Sequence, residues 1–158
     1  EIFGGGMASR LFQEVRETRG LVYAIDAFLD TFEDDGRLMV YAGCNAANAR
    51  AVAEIVTAEL AEIAAKGVRA EELARAKAVA QAQMLMGAEA PSARAEARAA
   101  QVFLRDRVFS FEEARARIAA VTGEDIQRLA AKALEGPPCA AALGPKAGHG
   151  ALAAFHAN

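Results

Sequence analysis

Two side chains near the start of the chain, Arg16 and Tyr23, have types and a spacing that could hold a peptide backbone. A guanidinium presents a rigid fork of N–H donors that can bond a carbonyl oxygen. A phenol hydroxyl can donate to a carbonyl on which negative charge develops during hydrolysis. The plainer interpretation is a surface arginine and a half-buried strand tyrosine, as such residues usually are. Which interpretation holds depends on the secondary-structure elements on which the two residues lie.

The two residues lie on either side of a predicted helix-to-strand corner. Residues 4–23 read GGGMASRLFQEVRETRGLVY, a glycine-rich loop followed by an amphipathic helix. Apolar side chains recur at helical spacing on one face of that helix, with Phe12 beside them: Met7, Leu11 and Val15. Gly20 is a natural end for the helix, and residues 21–29 alternate as a strand. Arg16 and Tyr23 could then project toward one cleft.

The glycines that precede this helix, Gly4, Gly5 and Gly6, are candidate substrate-binding residues. They lack the Lys-Ser/Thr ending of a phosphate-binding loop, and the G-x-G-x-x-G spacing is also absent. A triple glycine is usually only a turn. The functional alternative is a loop whose exposed backbone lets an extended peptide approach closely.

Metal binding and nucleophilic catalysis have little support in this sequence. The two histidines, His149 and His156, are seven positions apart near the C-terminal end, whereas helical zinc pairs are spaced i, i+4. No Ser-His-Asp or Cys-His arrangement can be built from them. Cys44 and Cys139 lie in apolar stretches and are predicted to be buried free thiols. We therefore expect no metal site in this chain.

Composition indicates one domain of ordinary polarity. A chain of 158 residues buries roughly 68–70% of its unfolded surface in a single core. The net charge of -3 offers no basic footprint for nucleic acid. The longest apolar runs fall short of the ~18 residues that cross a bilayer, so no membrane partner is expected. The chain opens on Glu1 without a leader, which suggests a fragment, a processed product or an expression product.

The remaining patterns predict a hairpin followed by helices. Residues 21–29 and 37–44 form its strands around a turn at 33–36, with Tyr23 on the same side as Ile25. Long helices are expected from about residue 46 to 67 and from 70 to 86, and Ser92 is a candidate cap for a third. Ser110 and Thr122 open two shorter helices with capping-box spacing.

A third strand is predicted at residues 139–143, followed by a loose tail at 146–158. These elements indicate an α+β fold in which helices pack on one face of an antiparallel sheet. Three strands make a thin sheet, and helices on only one face leave its other face without a partner, which suggests that something upstream is missing.

The sequence at 4–23 resembles the opening of the second homologous domain of pitrilysin-type zinc peptidases. These include insulysin, the mitochondrial processing peptidase and bacterial processing-peptidase-like proteins. The resemblance continues in order and spacing through most of the chain: the hairpin end at 41–43, the helix after Asn45, and segments 72–77, 92–96, 118–126 and 142–145.

This resemblance implies a division of labour between two similar α+β domains, in one chain or two, around a chamber for extended or unfolded peptides. The first domain carries zinc on an H-x-x-E-H motif, which this sequence lacks. The second supplies an arginine and, seven positions later, a tyrosine that contact substrate; here these are Arg16 and Tyr23. Gly4, Gly5 and Gly6 match a loop linked with substrate handling.

The expectation is therefore a truncated second domain at residues 1–145, lacking its first strand and helix, with the tail at 146–158. It would be the substrate-binding half of a zinc metalloendopeptidase and inactive alone. Its partners would be a zinc-bearing homologous domain, in the same chain or in a homodimer or heterodimer, and a peptide substrate. The alternative is a non-catalytic structural subunit of the same family. Localisation is open, with a bacterial cytoplasm favoured.

Overall fold

The computed structural model describes residues 1–32 and 34–155. It confirms an α+β fold, in which the described residues form one antiparallel hairpin and several helices. The two strands are β1 (Val22–Thr31) and β2 (Gly36–Cys44). Five α-helices follow: α1 (Ala49–Lys66), α2 (Ala70–Gly87), α3 (Pro91–Arg105), α4 (Phe111–Ala120) and α5 (Gly123–Ala133). A π-helical segment (Phe12–Thr18) precedes the hairpin, and a 3₁₀ helix (Lys146–Phe155) follows α5.

The hairpin has a regular antiparallel register except at its base. Cα partners run from Thr31 opposite Gly36 back to Ala24 opposite Gly43, and the register shifts between Val22 and Ala24. Tyr23 is the extra residue of this β-bulge.

The bulge overturns the expected alternation along β1. Ile25 is 7% exposed while Tyr23 is 70% exposed, so the two side chains do not share a face. An extra residue changes which face the following side chains occupy, because successive strand residues alternate.

The core joins the segment before the hairpin, the hairpin itself and α1. Leu11 and Val15 are fully buried and pack with Val22, Ile25 and Val52. Two of the three residues predicted for the apolar helix face are therefore in the core. The prediction was wrong for the third, Met7, which is 75% exposed because it lies in the turn before the helix begins.

Two of the three predicted helix caps are present. The Ser110 hydroxyl accepts from the Glu113 N–H at the start of α4, and the Thr122 hydroxyl accepts from the Asp125 N–H at the start of α5. The predicted cap at Ser92 was wrong. Helix α3 begins one residue earlier at Pro91, whose fixed φ and missing N–H suit the first helical position.

The segment after α5 departs from its predictions. Residues 139–143 form no strand, and Leu143 is fully exposed, since the segment pairs with neither hairpin strand. Cys44 is half-buried and Cys139 is exposed, so the expected burial of the second thiol was wrong.

The segment expected to be a loose tail contains the 3₁₀ helix, which packs on α1 and buries Ala151. The division at residue 145 stays a prediction, and His156 lies outside the described residues. In the described part of the chain, every helix is too short or too polar to span a bilayer.

Candidate functional site

Tyr23 stands on the bulge of β1 with its ring turned toward β2. In such a bulge two residues of one strand oppose a single residue of the other, and the side chain of the extra residue is re-aimed. Here Tyr23 and Ala24 both face Gly43. The Tyr23 side chain remains 70% exposed, and its hydroxyl makes no hydrogen bond within residues 1–32 and 34–155. The phenol is therefore available to a ligand.

The Tyr23 ring lies directly over Gly43. A Cβ built on that glycine would stand 2.5 Å from Cε2 and Cζ of Tyr23 and 2.8 Å from its hydroxyl oxygen. Separations under about 3 Å do not occur for real Cβ atoms. Glycine at this position is what allows the ring to lie this close to β2.

Arg16 belongs to the π-helical segment, an uncommon conformation that is frequent at functional sites. Its guanidinium carbon lies 4.7 Å from the centroid of the Phe12 ring, in the geometry of a cation–π contact. The side chain is 44% exposed, and Nε is 3.9 Å from a carboxylate oxygen of Glu17. This loose ion pair leaves the Arg16 donors open to a ligand.

The corner between the two residues is held by backbone hydrogen bonds and one amide. The Leu21 N–H donates to the Val15 carbonyl at 2.9 Å, and Gly20 takes a positive φ of 60°, which favours glycine. Asn48, just before α1, donates from Nδ2 to the Leu21 carbonyl at 3.1 Å. Since the π-helical segment also packs on β1, the carriers of Arg16 and Tyr23 are fixed to each other, although no hydrogen bond joins the two side chains in the described part of the chain.

The glycine loop is engaged with the hairpin rather than free along its whole length. Gly4 is buried, its carbonyl accepts the Ala27 N–H at 3.1 Å, and a Cβ on it would stand 2.5 Å from that of Ala27. Gly5 lies against the backbone of Glu1, and Gly6 is exposed with a φ of 121°. The first glycine thus has a packing role, while the exposed backbone of Gly6 stays a candidate for peptide contact.

A second group of charged residues joins this region to α2. The Arg10 guanidinium bonds both carboxylate oxygens of Glu72, with Nε to Oε1 at 2.9 Å and Nη2 to Oε2 at 3.0 Å. Its Nη1 is 3.8 Å from a carboxylate oxygen of Glu59. The three residues line a cavity of about 850 Å³ between the π-helical segment, α1 and α2.

The electrostatics of the two glutamates differ although both contact Arg10. The hydrogen bonds from Arg10 lower the pKa of Glu72 to about 2, helped by the Arg69 backbone N–H. Burial raises the pKa of Glu59, and the nearby Arg10 charge only partly offsets it. Glu72 is thus the main ionic partner of Arg10, and Glu59 is a partly desolvated neighbour.

The described residues do not fit a zinc site. Within 1–32 and 34–155, no three His, Cys, Asp or Glu side chains lie close enough together to hold a metal ion. His149 instead has Nε2 3.1 Å from the Gly144 carbonyl oxygen. Because His156 lies outside the described residues, the expected absence of a zinc site from the whole chain stays a prediction.

Comparison with known proteins identifies the family. Residues 1–80 match the family model described as the peptidase M16 inactive domain. The chain belongs to this family. The match covers the glycine loop, the corner that carries Arg16 and Tyr23, the hairpin, and both ends of the Arg10–Glu72 ion pair.

Relatives of this M16 domain agree with that assignment. An uncharacterized zinc protease of Streptomyces coelicolor is 36% identical over 142 residues, which is 90% of this chain and 31% of that protein. A conserved protein from Enterococcus faecalis has a similar structure, with a TM-score of 0.70 and 30% identity over 82% of this chain and 30% of its own. A peptidase M16 inactive domain from Pseudomonas fluorescens has a TM-score of 0.69, covering 85% of this chain and 32% of its own, and at 24% identity it supports the fold. The chain spans about a third of the length of these relatives.

The sequence located the candidate side chains but missed what supports them. Gly43 and Asn48 carry no motif of their own, and their roles follow from contacts with Tyr23 and Leu21. Spacing did contain one usable signal. Phe12 is four residues before Arg16, the separation at which helical side chains meet.

Proposed function

We propose that this M16 domain binds the backbone of an extended peptide for hydrolysis by a zinc-bearing domain of the same protein or of a partner subunit. The observation that carries the proposal is the corner itself: an arginine and a tyrosine, both exposed and both short of partners, on two elements that are locked together. The zinc-protease relative from Streptomyces coelicolor, of which this chain matches about a third, supports an additional catalytic part.

Arg16 would hold the substrate by its carbonyl groups. A guanidinium fork aligned over Phe12 can donate two N–H groups to acceptors on a peptide. Such charge-assisted hydrogen bonds contribute about 1.5–3 kcal/mol each. This binding fixes the position of the scissile bond relative to the rest of the site.

Tyr23 would act on the carbonyl that is hydrolysed. As water attacks, negative charge builds up on the carbonyl oxygen, and the phenol O–H can donate a hydrogen bond to it. The hydroxyl lies on a ring supported by β2, so little reorganisation is needed when the charge develops. In this proposal, residues of the other domain would hold zinc, which would supply Lewis-acid and water-activating chemistry there.

The decisive experiment replaces Tyr23 in the full-length protein. Tyr23→Phe keeps the ring and removes only the hydroxyl, so kcat for an unstructured fluorogenic peptide should fall by about 10²–10³. Tyr41→Phe is the matched control, since Tyr41 is the chain's other tyrosine, lies on β2 and is 56% exposed. It should leave kcat unchanged. Equal kcat for the Tyr23→Phe variant and the wild type would refute the role of Tyr23.

A structural subunit of the same family is the second candidate function, favoured by the description of the matching family as inactive. Full-length protein that shows no zinc-dependent cleavage of unstructured peptides, alone or with its partner subunit, would support that alternative. Zinc-dependent cleavage that is sensitive to Tyr23→Phe would exclude it.

A further inference from the structure

Gly43 has no side chain at the one place on β2 where Tyr23 needs space. It is buried opposite the bulge, in the position paired with Ala24. The positive-φ glycines of the described chain are Gly6, Gly20, Gly67 and Gly144, so the backbone at Gly43 does not itself call for glycine. The requirement is steric and comes from the Tyr23 ring.

The contact involves the reactive end of the ring. The three atoms nearest to a Cβ at position 43 are Cε2, Cζ and the hydroxyl oxygen of Tyr23, at 2.5, 2.5 and 2.8 Å. The surface of Gly43 therefore sets the height of the hydroxyl above the sheet. The bulge supplies the direction of the side chain, and the glycine supplies the surface on which it rests.

We propose that Gly43 is a positioning residue that places the Tyr23 hydroxyl at the scissile carbonyl. The proposal rests on the function proposed above for Tyr23. The bulge and Gly43 act together, because neither alone would fix the position of the Tyr23 phenol.

A methyl group at position 43 should displace the hydroxyl without unfolding the hairpin. Ordinary contact for a Cβ begins near 3.4 Å, so the ring must move by about 1 Å. The Tyr23 ring is an exposed end of a flexible side chain, so it can yield at little cost in stability. A displacement of this size costs on the order of 10²-fold in rate when it affects a reacting group. The methyl group should therefore lower activity while leaving the stability of the protein almost unchanged.

The test is Gly43→Ala in the full-length protein with its zinc domain. We expect kcat to fall at least about tenfold, with a smaller change in KM and a melting temperature close to that of the wild type. Gly36→Ala is the matched control in the same strand, since among the described residues a Cβ there meets only the Asp30 carbonyl oxygen, at 3.5 Å. It should leave kcat unchanged.

A double-variant cycle separates this inference from the proposed function. If Gly43 acts through the hydroxyl, Gly43→Ala should have little further effect on kcat in a Tyr23→Phe background. An effect of Tyr23→Phe with none of Gly43→Ala would overturn the positioning role alone. No effect of Tyr23→Phe would overturn the proposed function, and the positioning role with it.

A spectroscopic measurement needs no variant at position 43. In protein with labelled glycine, the Gly43 α-proton resonances should show a ring-current shift that disappears in Tyr23→Leu. The shift should persist when an uncleavable peptide analogue binds. Its loss on binding would mean that the ring leaves Gly43 in the complex, which would contradict the proposal even if Gly43→Ala failed to fold.

Discussion

Two arginines six residues apart, Arg10 and Arg16, stand in opposite environments. The Arg10 side chain is 17% exposed and bonds both oxygens of Glu72. The Arg16 side chain is 44% exposed and has an aromatic ring beneath it and a loose pairing with Glu17.

Charge and a cavity do not by themselves identify a binding site. The cavity of about 850 Å³ beside Arg10 is lined by charges that largely satisfy one another. A ligand there would have to break an ion pair before making its own contacts. Arg16 and Tyr23 do not line that cavity, but their hydrogen-bond donors are largely free to bind a ligand. Open surface of this kind is what a domain would present if the other wall of its site belonged to a second domain.

The largest expected effect on stability comes from replacing Glu72, the partner of Arg10. Glu72→Gln removes the charge that compensates the partly buried Arg10, and such losses typically cost about 3–5 kcal/mol. We expect the free energy of unfolding to fall by about 3 kcal/mol at pH 7 in urea denaturation.

Glu59→Gln is the matched control for that change. This substitution makes the same chemical change next to the same arginine. Burial raises the pKa of Glu59, however, so the ionised form of Glu59 is disfavoured in the folded state. The free energy of unfolding should stay within about 1 kcal/mol of the wild type at pH 7 or rise. A larger loss for Glu59→Gln than for Glu72→Gln would reverse the assignment of the main ionic partner.

Acid should reveal the same ion pair without mutation. The pKa of Glu72 is lowered from its ordinary 4.5 to about 2 in the folded protein. Its contribution is therefore fully present above pH 4.5 and is lost as the pH falls toward 2. Between pH 6 and pH 3 the loss should be about 2 kcal/mol.

The Glu72→Gln variant shows how much of the pH dependence of stability comes from Glu72. Between pH 6 and pH 3 the free energy of unfolding of the variant should fall by about 2 kcal/mol less than that of the wild type, because the contribution of Glu72 is absent. Parallel curves for the variant and the wild type would mean that other carboxylates carry the acid sensitivity.

Substitution of Arg16 at the corner should affect catalysis much more than stability. Arg16→Ala removes a side chain whose intramolecular partners are the Phe12 ring and a loose pairing with Glu17, so the free energy of unfolding should change by less than about 1 kcal/mol. In the full-length protein, kcat/KM for peptide cleavage should fall at least about tenfold, as loss of a charge-assisted hydrogen bond implies.

Arg19→Ala is the control for Arg16→Ala. Arg19 lies just after the same segment but pairs closely with Glu14, at 2.6 Å from Nη2 to Oε1. It should leave kcat/KM unchanged. Equal losses for the two variants would indicate a general effect of positive charge on substrate attraction.

Local sequence patterns predicted most of this fold because they encode local physics. Periodicity placed α1 and α2, side-chain oxygens placed the starts of α4 and α5, and Gly20 placed the corner. They also located Arg16 and Tyr23, whose spacing spans that corner.

What the sequence could not predict depends on pairing between distant residues. A bulge at Tyr23 arises from the register of β1 against β2, and one extra residue moved Tyr23 away from the face of Ile25. Residues 139–143 are a short apolar run, which alone does not make a strand, since a strand forms only where it can pair with the edge of another strand. The role of Gly43 follows from the same register, so no local motif could have indicated it.

The smallest predicted effect concerns Phe12, on which the Arg16 guanidinium rests. Phe12→Leu keeps an apolar side chain against the core but removes the ring face. A cation–π contact at an exposed site is worth about 0.5–1 kcal/mol. If it orients Arg16 for substrate, kcat/KM should fall about two- to fivefold. In an Arg16→Ala background the same change should have no further effect, because the contact no longer exists. If Phe12→Leu lowers kcat/KM equally in the Arg16→Ala background, Phe12 acts through packing. The π-helical backbone alone would then orient Arg16.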